Sequence, residues 1–333
     1  MTASPKNPKY SVFVVSEATT YNLTPATQTI DMTDQDQQIA QSVSIDVVNT
    51  MVKGSRLSEL IGAGDRVYIY ASTGEPENEV FRGYVWSKIP KSTLEETVIT
   101  LKCYDNLIYL QESEDALYFT KGKNTKAVLT EICKNWGITL DYSYTTITHE
   151  KLALRGVLSD LITSDILDKV KRKTGKKYVI RSEKDVLRVL EAGANDTYYT
   201  INAGQNAVQI RSEQTLDELV TKVVILGKQN KNDQYPIKGT IKGDTAKYGT
   251  LQKLLDIGDD SLATAKKEAQ YKIDENGKPK WIYEITAPDI PWIRKGDRVE
   301  IVSQNLTGFF VVRSLDRAIS SKEKTITLTC DQM

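Results

Sequence analysis

Gly64-Asp65-Arg66-Val67 recurs as Gly296-Asp297-Arg298-Val299, and Ile99-Thr100-Leu101-Lys102-Cys103 recurs as Ile326-Thr327-Leu328-Thr329-Cys330. One shared tetrapeptide in 333 residues carries little weight, but a second match in the same order makes a repeat. The first copy runs from residue 64 to residue 99 and the second from 296 to 326, a difference that one hairpin loop absorbs. An apolar residue stands three places before each glycine (Ile61, Ile293), and an aspartate follows each cysteine closely (Asp105, Asp331). Gly-Asp suits a turn: glycine takes a positive φ at no steric cost, and aspartate bonds its own backbone before Arg-Val enters a strand. The reading is one β unit, duplicated.

The residues around the first copy support strands. Ser42–Asn49, Arg66–Tyr70, Val80–Trp86 and Thr97–Cys103 alternate apolar and polar side chains, the period of a strand with one buried face. In the last of these Ile99, Leu101 and Cys103 share one face. Around the second copy the candidates are Ala207–Arg211, Leu219–Leu226, Lys280–Thr286, Arg298–Val302, Phe309–Leu315 and Lys324–Cys330. A polar stretch from Gly227 to about Asp244 and a helical segment, Ser261–Lys272, interrupt them.

Between the copies the period changes. Val128, Leu129, Ile132, Cys133 and Trp136 fall on one stripe of a helix that Gly137 stops. A second helix is expected from Ser164, as N-cap, to Gly175, with Asp165 and Asp168 early and Lys171, Arg172 and Lys173 late, as the macrodipole favours. Lys177–Ser182 and Asp185–Leu190 read as two short strands. The expected fold class is therefore α+β, mainly β: two similar β-barrels (1–110 and 201–333) flank an α+β domain (111–200), and the second carries a helical insertion at about 228–279.

With 40% hydrophobic and 26% charged residues the chain is globular in composition. Lys plus Arg and Asp plus Glu both number 44, so no net field draws it to nucleic acid or an anionic membrane. There is no run of 18 apolar residues, and the first twelve residues lack a secretory core, so the expectation is no membrane and synthesis in the cytoplasm. Cys103, Cys133 and Cys330 are odd in number and far apart, which reads as three buried reduced thiols.

Little here suggests catalysis. The one histidine, His149, stands in a polar stretch and reads as a solvated loop residue. Gly62-Ala63-Gly64 is not a dinucleotide fingerprint, because Val67 stands where the third glycine belongs. Asp256, Asp259 and Asp260 lack calcium-loop spacing and read as an acidic turn leading a helix. Lys169, Lys171, Arg172, Lys173, Lys176 and Lys177 read as a solvated helix end. No catalytic, cofactor-binding or metal-binding residue is assigned, and the chain is not expected to be an enzyme.

I-G-A-G-D-R-V-Y-I-Y (61–70), F-R-G-Y-V (81–85), T-L-K-C-Y-D (100–105), D-I-L-D-K-V-K-R-K-T-G-K-K-Y-V-I-R (165–181) and K-G-D-R-V-E-I-V (295–302) resemble the XkdQ/YqbQ-like baseplate hub family of contractile phage tails. That family is related in fold to late control gene D proteins and to the N-terminal part of type VI secretion spike proteins. The resemblance implies two tube-type barrels per chain and a homotrimer whose pseudo-sixfold ring joins the tail tube protein to the central spike protein. It implies contacts with other baseplate proteins and the tape measure protein, a place in the tail baseplate of a phage or phage-tail-like particle, and no sequence-specific nucleic-acid binding. Two other readings of the residues are a peptidoglycan-cleaving enzyme at a tail tip and a carbohydrate-binding module using some of the 17 Tyr and 4 Trp.

Overall fold

The computed structural model describes residues 7–74, 76–92, 97–257 and 261–333. Contacts divide the chain into two compact units, one of Met1–Arg211 with Tyr283–Met333 and one of Ser212–Ile282.

In the larger unit the strands that matter most come from both ends of the chain. From the first end they are β1 (Lys9–Ser16), β2 (Thr27–Asp34), β3 (Ser42–Val48), β4 (Arg66–Ser72), β5 (Asn78–Ser92) and β6 (Thr97–Tyr104). Alternate residues of β3 and β4 are buried, as period-two patterning requires. Val12, Val43, Ile45, Val67, Ile69, Ile99, Leu101 and Cys103 share one core. After β7 (Tyr178–Glu183), β8 (Val186–Glu191) and β9 (Gln209–Thr215), the second end contributes β13 (Lys280–Pro288), β14 (Arg298–Val302), β15 (Thr307–Ser320) and β16 (Lys324–Gln332). Ile285, Val299, Ile301, Phe310, Val312, Ile326, Leu328 and Cys330 form its core.

The chain is mainly β, as expected, but the described strand pairings do not close two separate barrels. They form one thirteen-stranded sheet whose path runs β9-β13-β16-β15-β2-β3-β6-β5-β4-β1 and ends on Thr19–Asn22. The join is β2, which pairs antiparallel with β3 on one side and with the C-terminal half of β15 on the other. An edge strand of one half thus satisfies the edge of the other, which strand patterning cannot reveal.

The middle segment carries α1 (Thr125–Asn135), with Val128, Leu129, Ile132 and Cys133 buried and the Asn124 side chain accepting from the Ala127 N–H. The second helix begins earlier than expected. Helical structure runs from Leu158, is π-helical over Leu161–Leu167, and ends with α2 (Asp168–Thr174). Ser164 therefore sits inside the run and caps nothing; burial of Leu158, Leu161 and Ile162 outweighs the missing cap. Gly175, at φ +73°, stops it as expected. β7 and β8 form a hairpin, and Thr139–Tyr142 adds parallel to β8.

The smaller unit holds β10 (Lys222–Leu226) between β11 (Ile237–Lys242) and β12 (Gln252–Asp256). α3 (Leu262–Asn276) packs Ala265, Ala269 and Ile273 on Val223, Ile225 and Leu255. Ser261 caps α3 by accepting from the Thr264 N–H. β11 lies inside the stretch read as polar, where lysine and threonine on the exposed positions mask its pattern.

Candidate functional site: the duplicated strand unit and its edges

The repeat is present at the level of individual hydrogen bonds. Gly64 (φ +92°) donates to Val85 O at 2.7 Å and the Val85 N–H returns to Asp65 O at 2.8 Å; Gly296 (φ +87°) and Val312 repeat both bonds with Asp297 O, each at 2.8 Å. The Asp65 carboxylate accepts from the Gly62 N–H and that of Asp297 from the Arg294 N–H, at 2.7 and 2.9 Å. The Gly-Asp turn thus fastens the strand that follows it to the middle of the next.

The registers agree throughout. β3 pairs with β6 as Val43–Cys103, Ile45–Leu101 and Val47–Ile99; β13 pairs with β16 as Tyr283–Cys330, Ile285–Leu328 and Ala287–Ile326. β4–β5 pairs Arg66 with Tyr84 and Ile69 with Phe81, while β14–β15 pairs Arg298 with Val311 and Ile301 with Gly308. Both long strands bulge at the same place: Trp86 is skipped between Val85–Cys103 and Ser87–Lys102, and Arg313 between Val312–Cys330 and Ser314–Thr329. The five-residue difference in spacing lies in the β4–β5 hairpin, longer than β14–β15. In this register Asp331 matches Tyr104, not Asp105, so the two aspartates noted after the cysteines are not counterparts.

One correspondence has no sequence signature. Lys88 Nζ donates to Ser58 O and Ile61 O, at 2.7 and 2.8 Å, and Arg317 Nη2 donates to the matching carbonyls of Ile290, at 3.0 Å, and Ile293. Arg317 also pairs with buried Asp289 at 2.9 Å, and Asp289 accepts from the Tyr10 hydroxyl. Each copy satisfies the carbonyls before its Gly-Asp turn with a basic side chain, but from a different position on the long strand, so the sequences do not align there.

The β7–β8 hairpin holds both turns. Its tip residue Asp185 accepts from Arg66 at 2.6 Å, while Arg181 pairs with Asp297 at 2.8 Å. A cavity of about 630 Å³ lies beside the hairpin, lined among others by Arg181, Glu183, Arg294, Asp105 and Gln41. Asp105 accepts from the N–H groups of Gln41 and Leu107, and burial pushes its carboxyl up to about 7. Burial also lowers Arg294 from the usual guanidinium range.

His149 is not a solvated loop residue. It is 2% exposed, its Nε2 is 3.0 Å from Thr125 Oγ1, and burial, with Lys169 and Lys173 adding to it, pulls its pKa down to about 4. An isolated bridge between Asn124 and Thr148 folds this polar stretch against the start of α1. The basic run is tied down: Arg172 to Asp168 at 2.7 Å, Lys176 to Glu191 at 2.8 Å, and Lys177 to Asp331 at 3.4 Å. Cys103, Cys133 and Cys330 are buried and free, and burial pushes the Cys133 thiol up to about 12. Asp259 and Asp260 lie outside the described residues. Among the described residues no group of three His, Cys, Asp or Glu could hold a metal, and no helix is long and apolar enough to cross a membrane.

The overall fold that carries this doubled strand unit is similar to that of solved phage tail proteins. The chain superposes on the tail protein of Neisseria meningitidis MC58 with a TM-score of 0.70 at 15% identity, covering 97% of this chain and 96% of that one. It superposes on the 43 kDa tail protein of prophage MuSo2 from Shewanella oneidensis with a TM-score of 0.69 at 13% identity, covering 97% and 98%. An Escherichia coli component of the type VI secretion system, described as similar in structure to bacteriophage T4 tail proteins gp27 and gp5, matches with a TM-score of 0.58 at 6% identity, covering 92% and 74%. The YQBQ-like family model matches residues 30–331, and the chain belongs to that family. No curated protein matches the sequence.

Proposed function

We propose that this chain is the structural hub of a contractile tail baseplate, a homotrimer whose pseudo-sixfold ring joins the tail tube to the central spike and starts tube assembly. The observation that carries the reading is one filled seam and one open seam of the same kind. Within the chain, β2 of the first copy pairs with the C-terminal half of β15 in the second, from Leu315–Asp34 to Ser320–Thr29. The counterpart of β2 is β9, which among the described residues pairs with β13 alone and ends the sheet. The counterpart of that half of β15 is Lys88–Ser92 of β5, which pairs with β6 and, among the described residues, has no strand on its other side.

Each chain thus offers two complementary free edges on eight consecutive strands. Joining β9 of one copy to β5 of the next repeats a pairing already made within the chain, and three copies close such a wall with no strand left over. Each half then becomes a tube-type domain of the ring, 1–110 and 201–333, the second interrupted by its insertion at about 228–279, around the α+β domain 111–200. Six similar domains from three chains match a sixfold tube while keeping threefold symmetry for the spike. The partners in this reading are the tube, spike, tape measure and other baseplate proteins, and the location is the assembled baseplate. The role needs no catalysis and no cofactor, and a cell-wall zymogram without a lytic band is the expected result. Light scattering on the full chain, alone and with the spike, should give about 112 kDa of this chain, three times 37.4 kDa. Electron micrographs of the particle showing other than three copies around the axis would overturn it.

A further inference from the structure

The two copies differ most where the seam chemistry is set. At the bulge of the second copy, Arg313 pairs with Asp36 at 2.8 Å, across the filled seam from the residues that leave β2, and lies 3.9 Å from Asp331. At the matching bulge of the first copy both charges are replaced by aromatics: Trp86 stands for Arg313 and Tyr104 for Asp331. Trp86 packs edge-on against Tyr104, with centroids 6.1 Å apart, and against Tyr109 at 6.0 Å, and Tyr109 packs edge-on against Tyr84 at 5.5 Å. Trp86 remains 44% and Tyr109 40% exposed, two large rings side by side at the bulge that precedes the open Lys88–Ser92 edge. Tyr104 packs against the core of the middle segment, but that packing does not account for the large share of the Trp86 and Tyr109 rings left in water.

We infer that the Trp86–Tyr104–Tyr109 cluster is a contact surface for a second copy of this chain. It receives the residues that leave that copy's β9, in the place where Asp36 meets Arg313 within one chain. This rests on the ring reading and adds to it the side chains that hold the open seam. Chemistry at the proposed partner fits: the first residue after β9 is Leu216, itself 50% exposed. The backbone ladder alone is poorly suited to selecting a partner there, because Pro90 lies in the free edge and has no N–H to give. Aromatic side chains that desolvate on contact supply what the ladder lacks, as aromatic anchors do at protein interfaces.

The test uses the full chain, with self-association followed by sedimentation over a wide concentration range. W86A and W86E are expected to weaken assembly about tenfold or more, while the monomer stays folded with a thermal midpoint lowered by only a few degrees, since part of the ring is already in water. W86F is expected to retain most of the affinity. R313A, at the seam within the chain, is expected to leave assembly unchanged. If W86E assembles as tightly as wild type while S92P, which blocks the β5 edge, abolishes assembly, the cluster is not the contact and the ring reading stands. If the wild-type chain is monomeric at every concentration and is not found at three copies per particle, the ring reading fails and this inference with it.

Discussion

Replacing Lys295 by methionine tests how the two copies are joined within one chain. Lys295 Nζ lies 2.9 Å from Asp34 Oδ1 at the end of β2 and donates to Gln35 O and Gln38 O at 3.1 and 2.6 Å. The side chains of Lys295 and Asp34 are 5% and 2% exposed. Methionine keeps the length of the stem and removes the ammonium. Asp34, whose Oδ2 already has no hydrogen-bond partner, is then a buried carboxylate without its cation, and two carbonyls lose a donor. Removing one partner of a buried pair costs about 3–5 kcal/mol, because the remaining charge stays desolvated. K295M should lose that much in equilibrium urea unfolding followed by tryptophan fluorescence. D34L/K295M, which removes both charges, should recover most of the loss, since an apolar pair of similar volume replaces a buried ion pair at little net cost. A loss below roughly 1 kcal/mol for K295M, or no recovery in the double variant, refutes the reasoning that this buried pair locks the seam.

Gly296→Ala should destabilise far more than Gly64→Ala, although both glycines have positive φ: a Cβ at Gly296 would stand 2.2 Å from Val179 Cγ2, whereas at Gly64 it meets nothing within 4 Å. Thermal unfolding of the two variants side by side measures the difference, and equal shifts would contradict the packing of β7 against the second turn. Asp105, raised to about 7 in the fold, binds its proton more tightly there than in the unfolded chain, where about 4 is usual. Its contribution to stability therefore falls as pH rises across that window, and D105N should remove this slope from a series of urea midpoints. His149 acts in the opposite sense. With its pKa lowered to about 4 from about 6.5 in the unfolded chain, stability is full above the upper value and lost as pH falls toward the lower, a loss H149Q should abolish. The three buried thiols should resist a thiol reagent in the native state and react together in denaturant; rapid native labelling would place one at the surface.

The strands and the repeat were legible because their signals are local. Alternation in Ser42–Asn49 and Thr97–Cys103 marks strands with one buried face, and the doubled Gly-Asp-Arg-Val marks a turn that both copies need for the same pair of backbone bonds. Features that depend on which element lies alongside were not legible. Nothing in Thr27–Asp34 says that Leu315–Ser320 will pair with it, and this one pairing joins the two halves into a single sheet. Ser164 looked like a cap because the sequence cannot show that Leu158 and Ile162 extend the buried stripe upstream through a π-helical turn. His149 looked solvated among polar neighbours, yet Thr125 covers it from α1.

In the proposed ring the two seams form at different times. The seam between β2 and β15 joins parts of one chain, so it is made once, during folding. There the Lys295–Asp34 pair can be buried as the chain folds, and the Arg313–Asp36 pair can form beside it at the surface. In the second copy's counterpart loop those basic residues are present as Arg294 and Lys295; in the first copy the same positions are Gly62 and Ala63. The proposed seam between β9 and β5 must exist first as two solvated surfaces and only later as an interface. A lysine waiting there would shed its hydration at assembly, a cost of several kcal/mol per ion, whereas exposed aromatics gain from leaving water. Gly62, Ala63, Trp86 and Tyr104 are thus uncharged where Arg294, Lys295, Arg313 and Asp331 carry charge, the arrangement that favours a surface which must shed water on assembly. Introducing charge there as A63K with W86R should therefore leave the monomer folded and impair self-association more than W86A alone, which sedimentation of the paired variants measures.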